Sequence, residues 1–524
     1  RAVANDHSPG ITAGPLQPPV EPALIPDTYR IPNTDYRFPM PEQPFFAARR
    51  ADFMDRLEGD IAIVPAAKET VRNHDVHHVF RQDSDFWYLT GFEEPDAVAV
   101  LDPSHPDERY VLFVRPKDRE TEIWDGYRAG VEGAVADLGA DAAYPIADLD
   151  KVLRQRMIGR RSVYTPLRQR QFAQRVAGLM TGLRGVAIRY GRPVPDQLND
   201  ASPVFDEMRL HKSADEIDLL RKAGEISALG HAEAMRIAQP GLYEYQVAAA
   251  MEYVWRMNGS RRDGYPAIVA GGVNACILHY TENDAVLEDG DLLLIDAAAE
   301  YEYFSADITR TFPINGSFTP EQRSVYEVVL AAQRRSFESS VQGSTMKAVH
   351  DDSVDVITEG LVEMGALPGP VDRARNMHHY KEFYMHGTGH WLGHDVHDSG
   401  NYGIDGKPRH LDVGMSFTVE PGIYISRDTP RIKLPLLEYD PDEWRERRMM
   451  LGTAAAKKME KEERDAAGYE EFDVPAALLG IGVRLEDDIL ITEDGFENLT
   501  GSLPTDPDEV EALCAETPTL PLLG

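Results

Sequence analysis

At 524 residues, with 42% hydrophobic and 27% charged side chains, the chain has material for two to four domains and the balance of a soluble globular protein. Its 54 basic and 88 acidic residues give a formal net charge of −34, which disfavours nucleic acid and anionic membrane surfaces as partners. Two distant cysteines, Cys276 and Cys514, make no disulfide framework and fit a reducing cytoplasm, and no apolar run is long enough to span a bilayer.

Residues 1–44 are Pro-rich, from Pro9 through Pro18-Pro19 to Pro44, and read as an extended arm. A helix over 45–57 opens an α/β domain that runs to about residue 205, with strands such as 60–64 and 97–101. Ser213 with Glu216 is a capping-box pattern that starts a helix over 213–237. Long helices follow at 243–257 and 320–341, expected to pack outside a sheet. Leu292 to Ile295 is unbroken apolar, a buried strand ending at Asp296. The period of two over 305–314 sets Asp307, Thr309 and Thr311 against Ile308 and Phe312, so a return strand brings Asp307 opposite Asp296.

Residues 385–398 hold four histidines, His386, His390, His394 and His397, spaced by glycines and Trp391. Imidazoles there can bind metal or move protons near neutral pH. Over 414–425, Ser416, Thr418 and Glu420 share one strand face. Over 481–492, Arg484 and Glu486 do the same. Glu420 and Glu486 lie 66 positions apart, and between them 426–480 reads as a surface insertion with a solvated helix at 454–467. A rim that limits substrate size, or a subunit contact, is the functional alternative for it. Residues 501–524 form a C-terminal tail.

Charges on interior strand faces are costly unless paired or metal-bound. Singly, each of Asp296, Asp307, Glu420 and Glu486 is explained by an ordinary salt bridge; together with a His-rich loop they are not. Two divalent cations would cancel the repulsion of four carboxylates and leave room for a bridging hydroxide. Four carboxylates and one imidazole are mostly hard oxygen, which favours Mn²⁺ over a thiolate-type zinc site.

At these residues the sequence resembles the pita-bread dinuclear metallopeptidases, in their Xaa-Pro aminopeptidase (aminopeptidase P) branch. The matching pieces are Ile277-Leu278-His279-Tyr280-Thr281-Glu282-Asn283, Asp296 with Asp307, the His386–Asp398 loop, Thr418-Val419-Glu420-Pro421-Gly422-Ile423-Tyr424, and Val483-Arg484-Leu485-Glu486-Asp487-Asp488. Upstream, Arg81 to Phe92 looks like the family's N-terminal-domain signature, so the resemblance covers roughly 45–500. It implies an α/β (α+β) chain: an N-terminal α/β domain at 45–205, then a pita-bread catalytic domain at 206–500 with an antiparallel-rich sheet and outer helices.

The same resemblance implies two divalent metals on Asp296, Asp307, His390, Glu420 and Glu486, with Asp307 and Glu486 bridging. It makes His279 and His397 contacts to substrate or proton carriers, and Glu420 the proton shuttle. His386, Tyr424 and Arg484 shape the proline pocket, and Val396 is an apolar wall. His394 stands where an apolar residue is expected and takes no role. Family N-terminal domains often complete a neighbour's active site, which makes Asp75 and Trp124 substrate-binding candidates in a homo-oligomer, a dimer or tetramer, with Asp75 meeting Arg484 across the boundary. The implied activity is metal-dependent, cytoplasmic hydrolysis of the N-terminal Xaa-Pro bond. Prolidase has the same ligand set but cleaves dipeptides; the 279–283 segment and the Trp391 context favour the aminopeptidase. Methionine aminopeptidases usually lack such an N-terminal domain. A metal-free pita-bread binding module would not need all five ligands.

Overall fold

The computed structural model describes residues 43–438 and 440–520. The Pro-rich arm expected at 1–44 therefore lies almost wholly outside the described residues. The first helix is Gln43–Asp55, and it leads into a six-stranded sheet. In spatial order its strands are Ala142–Pro145, Tyr110–Val114, Val98–Leu101, Ile61–Pro65, Ser162–Thr165 and Gln197–Asp200. Only Val98–Leu101 runs against its neighbours. Helices cover both faces, so the period of two sends Ile61 and Ile63 into one core with Leu149 and Met180, and Ala62 and Val64 into another with Phe53 and Phe86.

The capping box at Ser213 and Glu216 is present: the Ser213 N–H donates to the Glu216 carboxylate at 2.8 Å, and the helix runs Ala214–Ile237. The helices Glu244–Met257, Pro320–Glu338 and Met346–Glu363 complete the outer layer of the catalytic domain. Inside it, Leu292–Asp296 pairs antiparallel with both Ile268–Gly271 and Thr309–Pro313. Ser416–Val419 pairs with Asp487–Thr492, and Gly422–Ile425 with Ile481–Arg484.

Three strands expected to be continuous are interrupted, each at a carboxylate. The 305–314 strand breaks after Ser305, whose short strand Phe304–Ser305 belongs to another sheet, and resumes at Thr309. Thr309, not Asp307, lies opposite Asp296; the Asp307 N–H donates instead to the Asp488 carboxylate at 3.1 Å. The 414–425 strand breaks at Glu420-Pro421, where Pro421 has no N–H for a ladder and the Glu420 N–H goes to the Thr388 carbonyl at 2.8 Å. The 481–492 strand breaks at Leu485-Glu486, with the Glu486 N–H on the Thr309 carbonyl at 3.0 Å. Asp296 ends its own strand.

The insertion is a hairpin of Arg431–Pro435 with Tyr469–Asp473, carrying the helices Pro441–Leu451 and Thr453–Ala467. The second is solvated as expected, burying only Ala456. The C-terminal tail is not loose over its described part, since the helix Pro507–Cys514 buries Val510 in the main catalytic core.

Candidate active site

The two domains meet around the His-rich loop. Within Arg81–Phe92, Asp83 caps the short helix Ser84–Thr90 by accepting the Phe86 N–H at 3.0 Å, and Gly91 ends it at a φ of +63°. That helix sets Trp87 flat against Tyr303 at 4.6 Å and lets the Ser84 hydroxyl donate to Asp395 at 2.6 Å. Fully buried Arg209 bonds Asp85 and Asp395, each at 2.7 Å, and Asp398. An isolated guanidinium would not survive this burial; three carboxylates from both domains satisfy it and fix both ends of the Asp395–Asp398 turn. His394, given no role by sequence, packs among Trp87, Tyr88 and Phe304, with Nδ1 at 3.0 Å from the Tyr303 carbonyl. Burial holds its pKa down, so a neutral imidazole takes the place of an apolar side chain.

Beside this joint lies a cavity of about 490 Å³. Its lining includes all five expected ligands, Asp296, Asp307, His390, Glu420 and Glu486, and also His279, His386, Val396, His397 and Arg484. Donor atoms of Asp307, His390 and Glu486 lie within 4.8 Å of one another. His390 Nδ1 faces the Trp391 carbonyl at 3.1 Å, which aims Nε2 at Asp307 (3.3 Å) and Glu420 (3.7 Å). Tyr424 stands behind the cavity: its hydroxyl is 2.9 Å from His386 Nε2 and accepts from Arg484 Nη1 at 3.0 Å. The other arms of the Arg484 fork reach Thr309 Oγ1 and Asp296.

Asp75 and Trp124 do not join this group. Asp75 sits exposed between Val71–Asn73 and Val76–His77, and Trp124 is 85% exposed on the helix Arg119–Asp125. Arg484 is buried with its fork engaged inside the chain, which gives the expected Asp75–Arg484 pair no support. No described residue of 426–480 lines the cavity.

Sequence reasoning passed over three contributors. The Tyr265 hydroxyl lies 2.7 Å from Asp296 and 2.6 Å from Asp307. Thr309 Oγ1 donates to Glu486 at 2.6 Å, and Asp488 accepts the Asp307 N–H. Thr309 and Asp488 were visible within strand patterns, but nothing local marks Tyr265.

The electrostatics are those of a site built for cations. Burial raises Glu420 to about 7 against the pull of His390 and Arg484. Burial and then the Asp307 charge raise Glu486 well above the carboxylate range; burial also raises Asp296, with Arg484 opposing. For His390, burial disfavours the charged ring, but the Asp307 carboxylate outweighs it and brings the pKa to about 9. Four carboxylates converge here around the Arg484 guanidinium and His390, with His279, His386 and His397 on the same cavity wall. Hard divalent cations fit that donor set and would replace the protons its burial now favours.

The profile of metallopeptidase family M24 matches residues 218–493, and that of the aminopeptidase P N-terminal domain matches 46–164. The Xaa-Pro aminopeptidase of Haemophilus influenzae is 38% identical over 91% of this chain and 98% of its own length. The chain belongs to the aminopeptidase P branch of metallopeptidase family M24. Its fold is accordingly the family's pita-bread catalytic domain behind an α/β N-terminal domain. The Pseudomonas aeruginosa aminopeptidase PepP structure is similar at a TM-score of 0.81 and 42% identity, covering 92% of this chain and 99% of that one. Escherichia coli aminopeptidase P with the inhibitor Pro-Leu gives 0.79 and 38%, covering 90% and 98%.

One aminopeptidase P position here admits a sharp test. A Cβ on Gly389 would lie 1.9 Å from the Thr418 carbonyl oxygen. Gly389→Ala is therefore expected to cost about 1–3 kcal/mol of stability and to push His390 off Asp307. Calorimetric unfolding together with metal affinity checks this; a variant with parental metal affinity would contradict it.

Proposed function

We infer that the protein removes the N-terminal residue from peptides with proline second, by metal-dependent hydrolysis of the Xaa-Pro bond. One observation carries this reading. Four carboxylates and His390 converge on a single cavity in a chain that matches a curated Xaa-Pro aminopeptidase along 98% of that enzyme's length. Asp296, Asp307, His390, Glu420 and Glu486 would hold two divalent ions, with Mn²⁺ the ion expected from hard oxygen donors. When bound, these ions supply Lewis acidity at the scissile carbonyl and lower the pKa of the attacking water.

The side chains do the rest. Glu420, on the cavity wall beside His390, takes the proton of the attacking water and delivers it to the leaving imino nitrogen. His279 and His397, both on the cavity wall, donate to the oxyanion as it develops. An Xaa-Pro bond offers no N–H, so a groove that reads a backbone donor fails on it. His386, Tyr424 and Arg484 instead form a rigid polar wall, and Val396 an apolar one, against which a fixed ring can seat.

Tyr424→Phe removes the hydroxyl shared by His386 and Arg484. It is expected to lower kcat/KM for Xaa-Pro-Yaa peptides about ten- to a hundred-fold, the worth of a charge-assisted hydrogen bond. Steady-state kinetics on the variant would show it, and an unchanged value would remove Tyr424 from the site.

No described helix is long and apolar enough to cross a membrane, and the place of action is proposed to be the cytoplasm. The working form is proposed to be a homo-oligomer, with exposed Asp75 and Trp124 turned toward a neighbouring subunit. Matched substrates test the activity. Release of the first residue mainly from Xaa-Pro-Yaa supports the aminopeptidase, whereas cleavage confined to Xaa-Pro dipeptides would make the enzyme a prolidase.

A further inference from the structure

The strand Ile268–Gly271 and the 3₁₀ turn Gly272–Cys276 lead into the segment that sets Leu278, His279 and Thr281 on the cavity wall. His279 is exposed there, and among the described residues its ring has no hydrogen-bond partner. An imidazole that must meet an oxygen at a fixed place is then aimed by the backbone beneath it. What holds that backbone lies outside the cavity.

Glu244 opens the helix Glu244–Met257 and is fully buried. Its carboxylate reaches both ends and the middle of the 271–285 loop. Oε1 accepts the Gly271 N–H at 2.7 Å and the Asn274 side-chain amide at 3.1 Å. Oε2 accepts the Ala285 N–H at 3.0 Å and the Tyr280 hydroxyl at 2.8 Å. The Glu244 N–H donates in turn to the Ala285 carbonyl at 3.0 Å.

Burying a charge is costly, and here four donors and the start of a helix offset that cost. A neutral amide would not do, since it accepts at one atom only. Asn283 adds a second clasp, with its Oδ1 on the Val269 N–H at 2.9 Å and its Nδ2 on the Ala267 carbonyl at 2.8 Å. Tyr280 is the link to the cavity: it is buried on Glu244 while its neighbour His279 faces outward.

We propose that Glu244 is a positioning residue that aims His279 at the substrate oxygen, acting through Tyr280 and the two ends of the 271–285 loop. The proposal rests on the role given to His279 above and says what keeps that imidazole in place.

The test is steady-state kinetics on an Xaa-Pro-Yaa peptide with the Mn²⁺-loaded full chain, read beside metal content and far-UV circular dichroism. Glu244→Gln keeps the shape, but whichever way its amide turns, the N–H of Gly271 or of Ala285 loses its acceptor. It should lower kcat about ten- to a hundred-fold and leave KM within about threefold, because the oxyanion contact forms in the transition state. Tyr280→Phe removes one hydroxyl and keeps the ring. It should lower kcat in the same direction by a smaller factor, and it carries the test if Glu244→Gln does not fold. In a His279→Ala background each change should cost less than about threefold in kcat, since the group being aimed is gone. Full, multiplicative losses in that background would overturn the proposal, as would a parental kcat in both single variants. So would a folded Glu244→Gln protein whose loss of activity follows a loss of metal. His279→Ala with parental kcat would instead overturn the role given to His279, and this proposal with it.

Discussion

Glu420→Gln is expected to lower kcat on an Xaa-Pro-Yaa peptide by about 10²–10⁴-fold at saturating metal, the usual worth of a positioned general acid–base. The amide keeps the shape and one oxygen of the carboxylate but can no longer accept and return a proton. Glu420 suits that task because its carboxylate lines the cavity beside His390, 3.7 Å from Nε2, among the other candidate ligands. Its place is fixed by the break at Pro421 and by the bond from its own N–H to the Thr388 carbonyl. Pre-steady-state and steady-state kinetics, read beside metal content, separate the two jobs assigned to it. A kcat within tenfold of the parent at full metal occupancy would deny Glu420 the proton-transfer role.

Chelation is expected to have the largest effect on stability. Metal at a thousand times its Kd adds about 4 kcal/mol to the unfolding free energy, and stripping it removes that amount. The gap should widen with pH. Glu420 has a folded pKa of about 7 against an ordinary 4.5, and Glu486 and Asp296 are raised in the same direction. Between those values the folded metal-free protein binds more protons than the unfolded chain, so its stability falls as pH rises through that window. Bound metal needs the same carboxylates deprotonated, so its affinity rises over that range. Unfolding midpoints with and without chelator should thus lie further apart at pH 8 than at pH 5.5. Equal gaps would mean that these carboxylates do not hold the metal.

Much of this site was legible in the sequence because carboxylates in apolar, strand-like contexts are chemically conspicuous. Asp296 at the end of Leu292–Ile295, and the capping box at Ser213, needed only local pattern and lie where expected. The strand breaks at Ala306–Ile308, Glu420-Pro421 and Leu485-Glu486 were not foreseen, although Pro421 was a visible cue for one of them. A period of two continues through a break when side-chain alternation resumes on the other side, so periodicity alone cannot find it. These breaks matter, since each frees a carboxylate-bearing residue from its ladder and turns it toward a shared point. Tyr265 and the Arg209 cluster were invisible for another reason: their partners are distant in sequence, as with Arg209 and Asp398, and only folding brings them together. His394 shows the converse, a residue in the right motif whose surroundings make it part of the packing.

The most direct test of the central claim is release of the N-terminal residue from Xaa-Pro-Yaa and from Xaa-Ala-Yaa, each with the metal-stripped protein and after Mn²⁺ is restored. The account predicts release from the proline peptide alone, absent without metal and regained with it. Comparable cleavage of the alanine peptide, or undiminished activity after stripping, would contradict it.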